Sequence, residues 1–288
     1  MNVYTHLDPD QIFVATAPQS ERRQPWTSPK CRIVIRPGFL KLLCEADLDR
    51  YQDFVDADRG ETVARSRTTR TAVLTAGGGE SGPRIYIKSY SYLTWKESAR
   101  AAARNTWLRP SRARREWTSL LHLLGAGVGA VEPIAYGECR RLGGLLRSCF
   151  LVTLEEPGFL PLQEIVPRSS GQDRRDLASA LGRYTKTLHE AGFTDGNYRF
   201  RNLLARRCGL RWEFRNLDSP KGRIYRGSPS AHRREADLVS LDADARDECT
   251  RAERLRFLHA YLDSTPRPQR HRTARRIARR STALTPTT

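Results

Sequence analysis

Apolar and polar residues alternate in two stretches that lie close together in the chain. The stretches are Thr71–Ala76 and Arg84–Tyr90, and a glycine-rich break at 77–82 separates them. This pattern predicts a β-hairpin, with Lys88 near the end of its second strand. Further strand-like segments lie at 131–136 and 148–154, ahead of a Glu-Glu-Pro-Gly connector at 155–158.

Helical spacing of apolar residues marks two longer segments. The first begins at Ser111, a favourable N-cap, carries Glu116 in its second turn and ends at Gly125. The second covers 173–190 and ends at Gly192. Their apolar faces are formed by Trp117, Leu120, Leu121 and Leu124 in the first helix, and by Leu177, Leu181, Tyr184 and Leu188 in the second.

These patterns predict an α+β fold organised in four segments. Residues 1–60 are an N-terminal arm with a leading segment, and 61–156 form a small β-rich lobe. Residues 157–264 form a larger helical lobe with a short hairpin and two more helices. Residues 265–288 read as a solvated basic tail, which we expect to be disordered because it lacks an apolar face.

Charge points to an anionic partner. The 288 residues include 50 Lys and Arg against 32 Asp and Glu, a formal net charge of +18, which favours nucleotides, nucleic acid or phosphorylated lipid surfaces. A cluster before and within the first helix suits a phosphorylated acceptor or a membrane surface, although a solvated helix face explains it nearly as well. It comprises Arg104, Arg109, Arg112, Arg114 and Arg115.

Cysteine usage and hydropathy indicate a cytoplasmic protein. The six cysteines are scattered without a CxxC pair, which predicts reduced thiols and no structural zinc site. The N-terminus lacks the basic and apolar regions of a signal peptide, and no stretch approaches roughly 18 apolar residues. We therefore expect a cytoplasmic chain that meets a membrane peripherally at most.

Lys88 and Glu116 are the candidate phosphate anchors. A strand lysine can neutralise the α- and β-phosphates of a nucleotide, and a helix carboxylate can hold its flexible stem. The apolar neighbours Ile85 and Ile87 suggest that Lys88 shares their inward face. The alternative is a solubilising charge on an edge strand and an exposed helix residue.

A polar loop and a later aspartate could supply the remaining chemistry. Asn202 immediately precedes an apolar strand, where an amide oxygen can coordinate Mg²⁺, and Asp218 ends the next short strand. Within the loop, Asp195 and Asn197 lie where an acid could orient or deprotonate an acceptor hydroxyl. Ordinary turns at Asp-Gly-Asn and Asp-Ser-Pro are the alternative interpretation.

In their collinear order, these segments resemble the lipopolysaccharide core kinase family, the bacterial Kdo and heptose kinases, which are similar to protein kinases. The resemblance implies a two-lobed kinase-like fold, use of ATP and Mg²⁺, and a glycolipid acceptor. It also implies a buried supporting acid at Asp237. The segments that carry it are Ile85–Tyr90, Pro110–Trp117, Gly127-Val128, Glu132–Glu138, Leu188–Phe193, Arg201–Leu204, Leu217–Gly222, Ala236–Leu238 and Arg256–Leu262.

Two departures from the family pattern divide the functional hypotheses. Such kinases usually carry an aspartate five residues before the metal-binding Asn202, and this chain has Asn197 there, with Asp195 as the nearest carboxylate. The phosphate-covering segment 64–70 contains no glycine. The first hypothesis is an ATP-dependent kinase for a sugar hydroxyl of a lipopolysaccharide-like glycolipid. The second is a pseudokinase scaffold, and no specific nucleic acid is expected.

Overall fold

The computed structural model describes residues 13–16, 30–56, 58–77, 82–92, 94, 110–263 and 265–284. The chain divides into two compact units. The first comprises Met1–Leu121 with Val131–Glu156, and the second comprises His122–Ala130 with Pro157–Thr288. Within the described residues, no helix combines the length and the apolar character needed to cross a bilayer.

The first unit is built on an antiparallel seven-stranded sheet with the order β1-β2-β6-β7-β5-β4-β3. Its centre is formed by β5 and β7, and β5 carries Lys88 between Thr71 of β4 and Leu151 of β7. A strand paired on both sides is held rigidly, which suits a side chain that must be positioned. The strands are β1 (Phe13–Thr16), β2 (Lys30–Ile35), β3 (Glu61–Arg65), β4 (Thr69–Thr75), β5 (Arg84–Ser91), β6 (Pro133–Arg140) and β7 (Leu146–Leu154).

Two short helices complete the core of this unit, where the sequence patterns had predicted only a leading segment. They are α1 (Leu40–Glu45) and α2 (Tyr51–Val55). The ring of Phe54 stacks on Phe150 of β7 with centroids 4.2 Å apart. Residues 40–55 therefore supply part of the hydrophobic core, and the apolar spacing was too short to reveal this.

A disulfide corrects the expectation that all the thiols are reduced. Cys31 of β2 and Cys139 of β6 lie opposite each other in the sheet register, and their sulfur atoms are bonded. The two residues are 108 positions apart in sequence. Only the antiparallel pairing of two distant strands brings the side chains together, so spacing along the chain could not predict the bond.

The helix that carries Glu116 is α3 (Arg112–Gly125). It begins as predicted, because the Oγ of Ser111 accepts a hydrogen bond from the backbone N–H of Arg114 at 3.1 Å. The backbone N–H of Ser111 itself donates to the carboxylate of Glu138 at 2.9 Å. The first turn is thereby fixed to the sheet of the same unit.

The second unit is mainly helical, with two small sheets. The three-stranded sheet has the order β11-β10-β8, and the two-stranded sheet pairs β12 with β9. Its strands are β8 (Leu160–Pro161), β9 (Phe193–Thr194), β10 (Leu203–Cys208), β11 (Arg211–Asn216) and β12 (Arg223–Ile224). Its helices are α4 (Leu162–Arg168), α5 (Gly171–Glu190), α6 (Ala231–Glu248), α7 (Arg251–Tyr261) and α8 (Arg267–Thr282).

Helix α8 corrects the prediction that the basic tail is disordered and has no apolar face. Ile277 is buried and packs with Leu238 and Val239 of α6 and Leu258 of α7. Ala274, one turn earlier, packs against the same cluster. One isoleucine among many arginines gives a weak hydrophobic pattern, so the sequence alone does not show that the helix has a surface to pack on.

Candidate functional site

Lys88 and Glu116 form an ion pair inside the first unit. The Nζ of Lys88 lies 3.4 Å from both carboxylate oxygens of Glu116. The side chain of Glu116 is 1% exposed, and that of Lys88 is 21% exposed. A buried carboxylate needs a charged or hydrogen-bonded partner, so the contact holds the lysine in one place while part of the lysine side chain stays accessible.

Tyr90 is a third member of this cluster, and the sequence analysis missed it. Its hydroxyl donates to Oε1 of Glu116 at 2.8 Å, and the Nζ of Lys88 lies 5.6 Å from the centre of its ring. The reasoning that placed Lys88 on the face of Ile85 and Ile87 was wrong. Successive strand residues point to opposite faces, so Lys88 shares its face with Tyr90. This two-residue period of a strand could have identified Tyr90 from the sequence.

The arginines at the start of α3 lie partly outside the described residues. This applies to Arg104 and Arg109. Of the remaining three, Arg112 places its guanidinium 5.9 Å from the ring centre of Tyr90, and Arg114 is exposed. Positive charge therefore extends from the Lys88 cluster onto the surface of α3.

In the second unit, Asp195 and Gly196 are tied to Asp237 of α6. The carboxylate of Asp237 accepts hydrogen bonds from the backbone N–H groups of Asp195 and Gly196, each at 2.8 Å. Gly196 has a φ of 70°, a conformation that L side chains rarely adopt. Asp237 is itself buried and lies 3.3 Å from Nε2 of His189. It therefore fixes the backbone of this loop, as the resemblance implied for a supporting acid.

Asp195 is fully buried, with 0% exposure. Its Oδ1 accepts from the backbone N–H of Asn197 at 2.9 Å, and its Oδ2 accepts from the side-chain amide of Asn216 at 3.1 Å. Burial, and next the nearby charge of Asp237, raise the pKa of Asp195 from 3.8 to about 7. The carboxyl group makes these hydrogen bonds within the loop and to the adjoining hairpin, so it braces the loop from the inside.

The hydrogen-bond geometry of the Ser219 hydroxyl is consistent with a protonated Asp195. Its Oγ lies 2.5 Å from Oδ2 of Asp195 and 2.7 Å from Oδ1 of Asn216. A hydroxyl has one proton and cannot donate to both oxygens. If Asp195 carries a proton, Asp195 donates to Ser219 and Ser219 donates to Asn216, which satisfies all three groups.

Asn202 and Asp218 lie at the same end of the β10–β11 hairpin. Leu203 pairs with Asn216 in that hairpin, and the backbone N–H of Leu217 donates to the carbonyl of Asn202 at 2.9 Å. The side-chain amide of Asn202 donates through Nδ2 to the carbonyl of Asn197 at 2.8 Å. Its nitrogen is thus engaged, and its Oδ1 is the atom left to act as a ligand.

The chemistry of these donors fits Mg²⁺. An amide oxygen and a carboxylate are hard oxygen ligands, which Mg²⁺ prefers. Among the described residues no group of three or more His, Cys, Asp or Glu could hold a metal ion. A Mg²⁺ ion held by Asn202 and Asp218 would therefore take its other ligands from phosphate oxygens and water.

Asn197 occupies the position where the family pattern has its catalytic aspartate, and it is partly exposed. Its backbone is fixed on both sides, since its N–H donates to Asp195 and its carbonyl accepts from Asn202. A carboxamide can donate or accept a hydrogen bond, but it does not take up a proton near neutral pH. This position can orient a hydroxyl and cannot act as a general base.

Comparison with known proteins gives a family and a fold. The family model described as "Lipopolysaccharide kinase (Kdo/WaaP) family" matches residues 53–261. A solved structure described as "WaaP in complex with acyl carrier protein" superposes with a TM-score of 0.64 at 21% sequence identity, covering 88% of this chain and 98% of that chain. No curated protein matches significantly. This similarity confirms the predicted α+β, protein-kinase-like fold, and the family match over 53–261 shows that the chain belongs to the lipopolysaccharide kinase (Kdo/WaaP) family.

Proposed function

We propose that this protein is an ATP-dependent kinase that phosphorylates a sugar hydroxyl of a lipopolysaccharide-like glycolipid. The observation that carries the proposal is the buried Lys88–Glu116 pair, with Nζ 3.4 Å from both carboxylate oxygens. A phosphate anchor requires a carboxylate that holds the lysine in place while the lysine side chain stays partly accessible, and this pair meets both conditions. Family membership supplies the substrate class.

The chain's own residues would divide the work of phosphoryl transfer. Lys88 neutralises charge on the nucleotide phosphates, while Glu116 and Tyr90 fix its position. Asn202 and Asp218 would hold Mg²⁺, which when bound supplies further neutralisation of phosphate charge. Asn197 orients the acceptor hydroxyl by hydrogen bonding. Because phosphoryl transfer depends mostly on positioning and electrostatics, such a site can work slowly without a carboxylate base.

The segment that would cover the phosphates is a tight turn between β3 and β4. The backbone N–H of Ser66 donates to the carbonyl of Thr69 at 2.8 Å, and Arg65 and Arg67 are exposed beside it. Without glycine, the backbone cannot approach phosphate as closely as in a glycine-rich loop. We expect arginine side chains to make these contacts, with weaker nucleotide binding as the result.

A pseudokinase scaffold is the second candidate, and the burial of Asp195 favours it. Asp195, the only carboxylate within two residues of Asn197 in the sequence, is 0% exposed. Burial and the charge of Asp237 raise the pKa of Asp195 to about 7. It has no surface from which to accept a proton directly from a substrate. On this second proposal the protein binds nucleotide or glycolipid and transfers no phosphoryl group.

The proposed setting is the cytoplasmic face of a bacterial membrane, with peripheral attachment. The positive net charge of +18 and the glycolipid substrate class support it. WaaP, the similar structure, was solved with acyl carrier protein, so a carrier protein is a further partner to test by co-purification.

Two measurements separate the candidates. Thermal unfolding with ATP, with and without Mg²⁺, reports nucleotide binding, and labelled ATP with a bacterial lipid extract reports transfer. A kinase gives both signals, and a pseudokinase gives only the first. Lys88→Ala should remove the stabilisation by ATP. The matched control Lys41→Ala replaces an exposed lysine of the same unit that pairs with Glu45 at 3.7 Å, and this variant should retain the stabilisation by ATP. Absence of both signals in the wild-type protein would contradict the kinase proposal and a nucleotide-binding pseudokinase, and would leave only a scaffold that binds glycolipid.

A further inference from the structure

Helix α8 is firmly attached along one side. Ile277 is buried among apolar residues of α6 and α7, and the hydroxyl of Ser281 donates to Asp242 at 2.6 Å. Arg276 and Arg280 both pair with Glu235 of α6, at 2.5 and 2.6 Å. A hydrophobic contact, a buried hydrogen bond and two ion pairs together hold the helix in one rotational setting.

The opposite side of α8 is a row of arginines, Arg272, Arg275 and Arg279. They are spaced by three and four residues, so they share one face, which a rotation of about 100° per residue places across the helix from Ile277 and Ser281. All three are exposed. Within the described part of the chain, no carboxylate lies at ion-pair distance from any of them.

The positive charge of this arginine face is not balanced by acidic residues of the same segment. Residues 265–284 contain seven arginines and no aspartate or glutamate. They lie beyond residues 53–261, where the family model matches, so the face is additional to the matched family segment. Three adjacent guanidinium groups repel one another, and the described part of the chain places no carboxylate beside them to offset this repulsion. An external anion would supply that compensation.

The kind of anion follows from what the face lacks. Helix α8 contains no phenylalanine, tyrosine or tryptophan on which a base could stack, and its one large apolar side chain, Ile277, is buried against α6 and α7 and cannot enter a bilayer. A straight, rigid row of guanidinium groups matches a flat layer of phosphates, which it can approach without inserting. Such a layer is the surface in which a glycolipid substrate is embedded.

We propose that α8 is a docking helix whose face of Arg272, Arg275 and Arg279 binds the phosphates of an anionic lipid surface. The choice of a lipid surface rests on the proposed glycolipid substrate. The role of the helix is separate from phosphoryl transfer, since it holds the protein at the layer that contains the acceptor.

His259 of α7 reports on the same positive field. It is exposed, yet its pKa is lowered, first by partial burial and then by the charges of Arg270, His271 and Arg267 at the start of α8. An anionic surface bound to the neighbouring arginine face would oppose this positive field and raise the pKa of His259 again. This histidine is therefore a spectroscopic probe of docking that does not depend on activity.

The test is sedimentation with vesicles of 70:30 phosphatidylcholine and phosphatidylglycerol, without nucleotide. We expect the wild-type protein to bind these vesicles, and to bind pure phosphatidylcholine weakly. The triple variant Arg272→Gln, Arg275→Gln and Arg279→Gln should bind about 100-fold less tightly, from the loss of three arginines near the surface. Glutamine keeps the helix propensity, and circular dichroism checks that the fold is intact.

A matched triple variant controls for net charge. Arg32, Arg147 and Arg246 are exposed arginines on other elements, and replacing them with glutamine removes the same charge. The vesicle affinity of this control variant should fall by less than about fivefold. In the wild-type protein, the pKa of His259 should rise on vesicle binding. Equal losses in both triple variants would show only general charge attraction and would overturn the proposal.

Two further results would also overturn it. One is unchanged binding in the α8 variant. The other is tighter binding to a 20-base-pair DNA duplex than to vesicles at equal phosphate concentration, lost in the same variant, which would make α8 a nucleic-acid surface. Because ATP is absent from the assay, either result leaves stabilisation by nucleotide unaffected, so this proposal and the kinase proposal fail separately.

Discussion

Two buried carboxylates, one in each unit, show how the surroundings decide what an acid does. Glu116 meets the ammonium group of Lys88 and a tyrosine hydroxyl, and the lysine side chain remains partly accessible. Asp195 meets a backbone N–H, an amide and a hydroxyl, and it lies close to a second acid, Asp237. The first arrangement holds a charge where a ligand can reach it. The second hides an acid that is close to neutral and uses it as a brace.

Breaking the Lys88–Glu116 pair tests the first half of the comparison and should have the largest effect. Lys88→Met removes the ammonium group that faces the buried Glu116, and should lower the free energy of unfolding by about 3 kcal/mol at pH 7. Adding Glu116→Gln should recover most of the loss, because the double variant buries no charge. Urea unfolding of the four proteins measures the coupling, and additive losses would show that the two residues do not act as a pair.

The support under Asp195 can be weakened next. Asp237→Asn keeps the shape but replaces one acceptor oxygen with a donor, which faces a backbone N–H of Asp195 or Gly196. Leaving that buried group without an acceptor should cost about 2 kcal/mol. Urea unfolding measures it, and the exposed Asp247→Asn of the same helix is the control. A loss no larger than that of the control would mean that Asp237 does not fix the loop.

The pH dependence of stability tests whether Asp195 is close to neutral. Its folded-state pKa is raised to about 7 from 3.8, so the wild-type protein binds this proton more tightly when folded. That contribution is complete below pH 3.8 and is lost as pH rises to about 7. Asp195→Asn does not titrate, so its stability relative to wild type should increase by about 1–2 kcal/mol from pH 5 to pH 7 and then level off. Thermal unfolding across this range measures it, and a pH-independent difference would show that Asp195 is ionised throughout.

Tyr90→Phe tests the hydrogen bond between Tyr90 and Glu116, and its effect on stability should be the smallest of those predicted here. It removes one hydrogen bond of 2.8 Å to Glu116 and keeps the ring beside Lys88. The loss in stability should be about 1 kcal/mol. If the hydroxyl positions the glutamate for Lys88, nucleotide affinity should also fall a few-fold, measured by calorimetry. Tyr86→Phe, on the same strand face, is the matched control and should leave affinity unchanged.

The prediction from sequence succeeded for local elements. The hairpin around Lys88, the capped helix of Glu116 and the long helix of 171–190 follow from patterns within about 20 residues. The family and the kinase-like fold were likewise predicted, from the order of short segments along the chain, and the comparisons confirm both. The roles assigned to Lys88, Glu116, Asp195, Asn197, Asn202 and Asp218 stay predictions until the variants are measured.

The sequence by itself determined most of the longer helices and strands and the order in which the chemical groups occur, because backbone preference and hydrophobic period act over a few neighbouring residues. It did not reveal α1, α2 or α8, whose apolar patterns are short or weak. Only the tertiary structure decided that Tyr90 holds Glu116, that Cys31 meets Cys139, that Asp195 is buried beside Asp237 and that α8 packs through Ile277. Burial and pairing depend on groups that are distant in the chain. Their energies arise when water is excluded between those groups, and no local pattern records that.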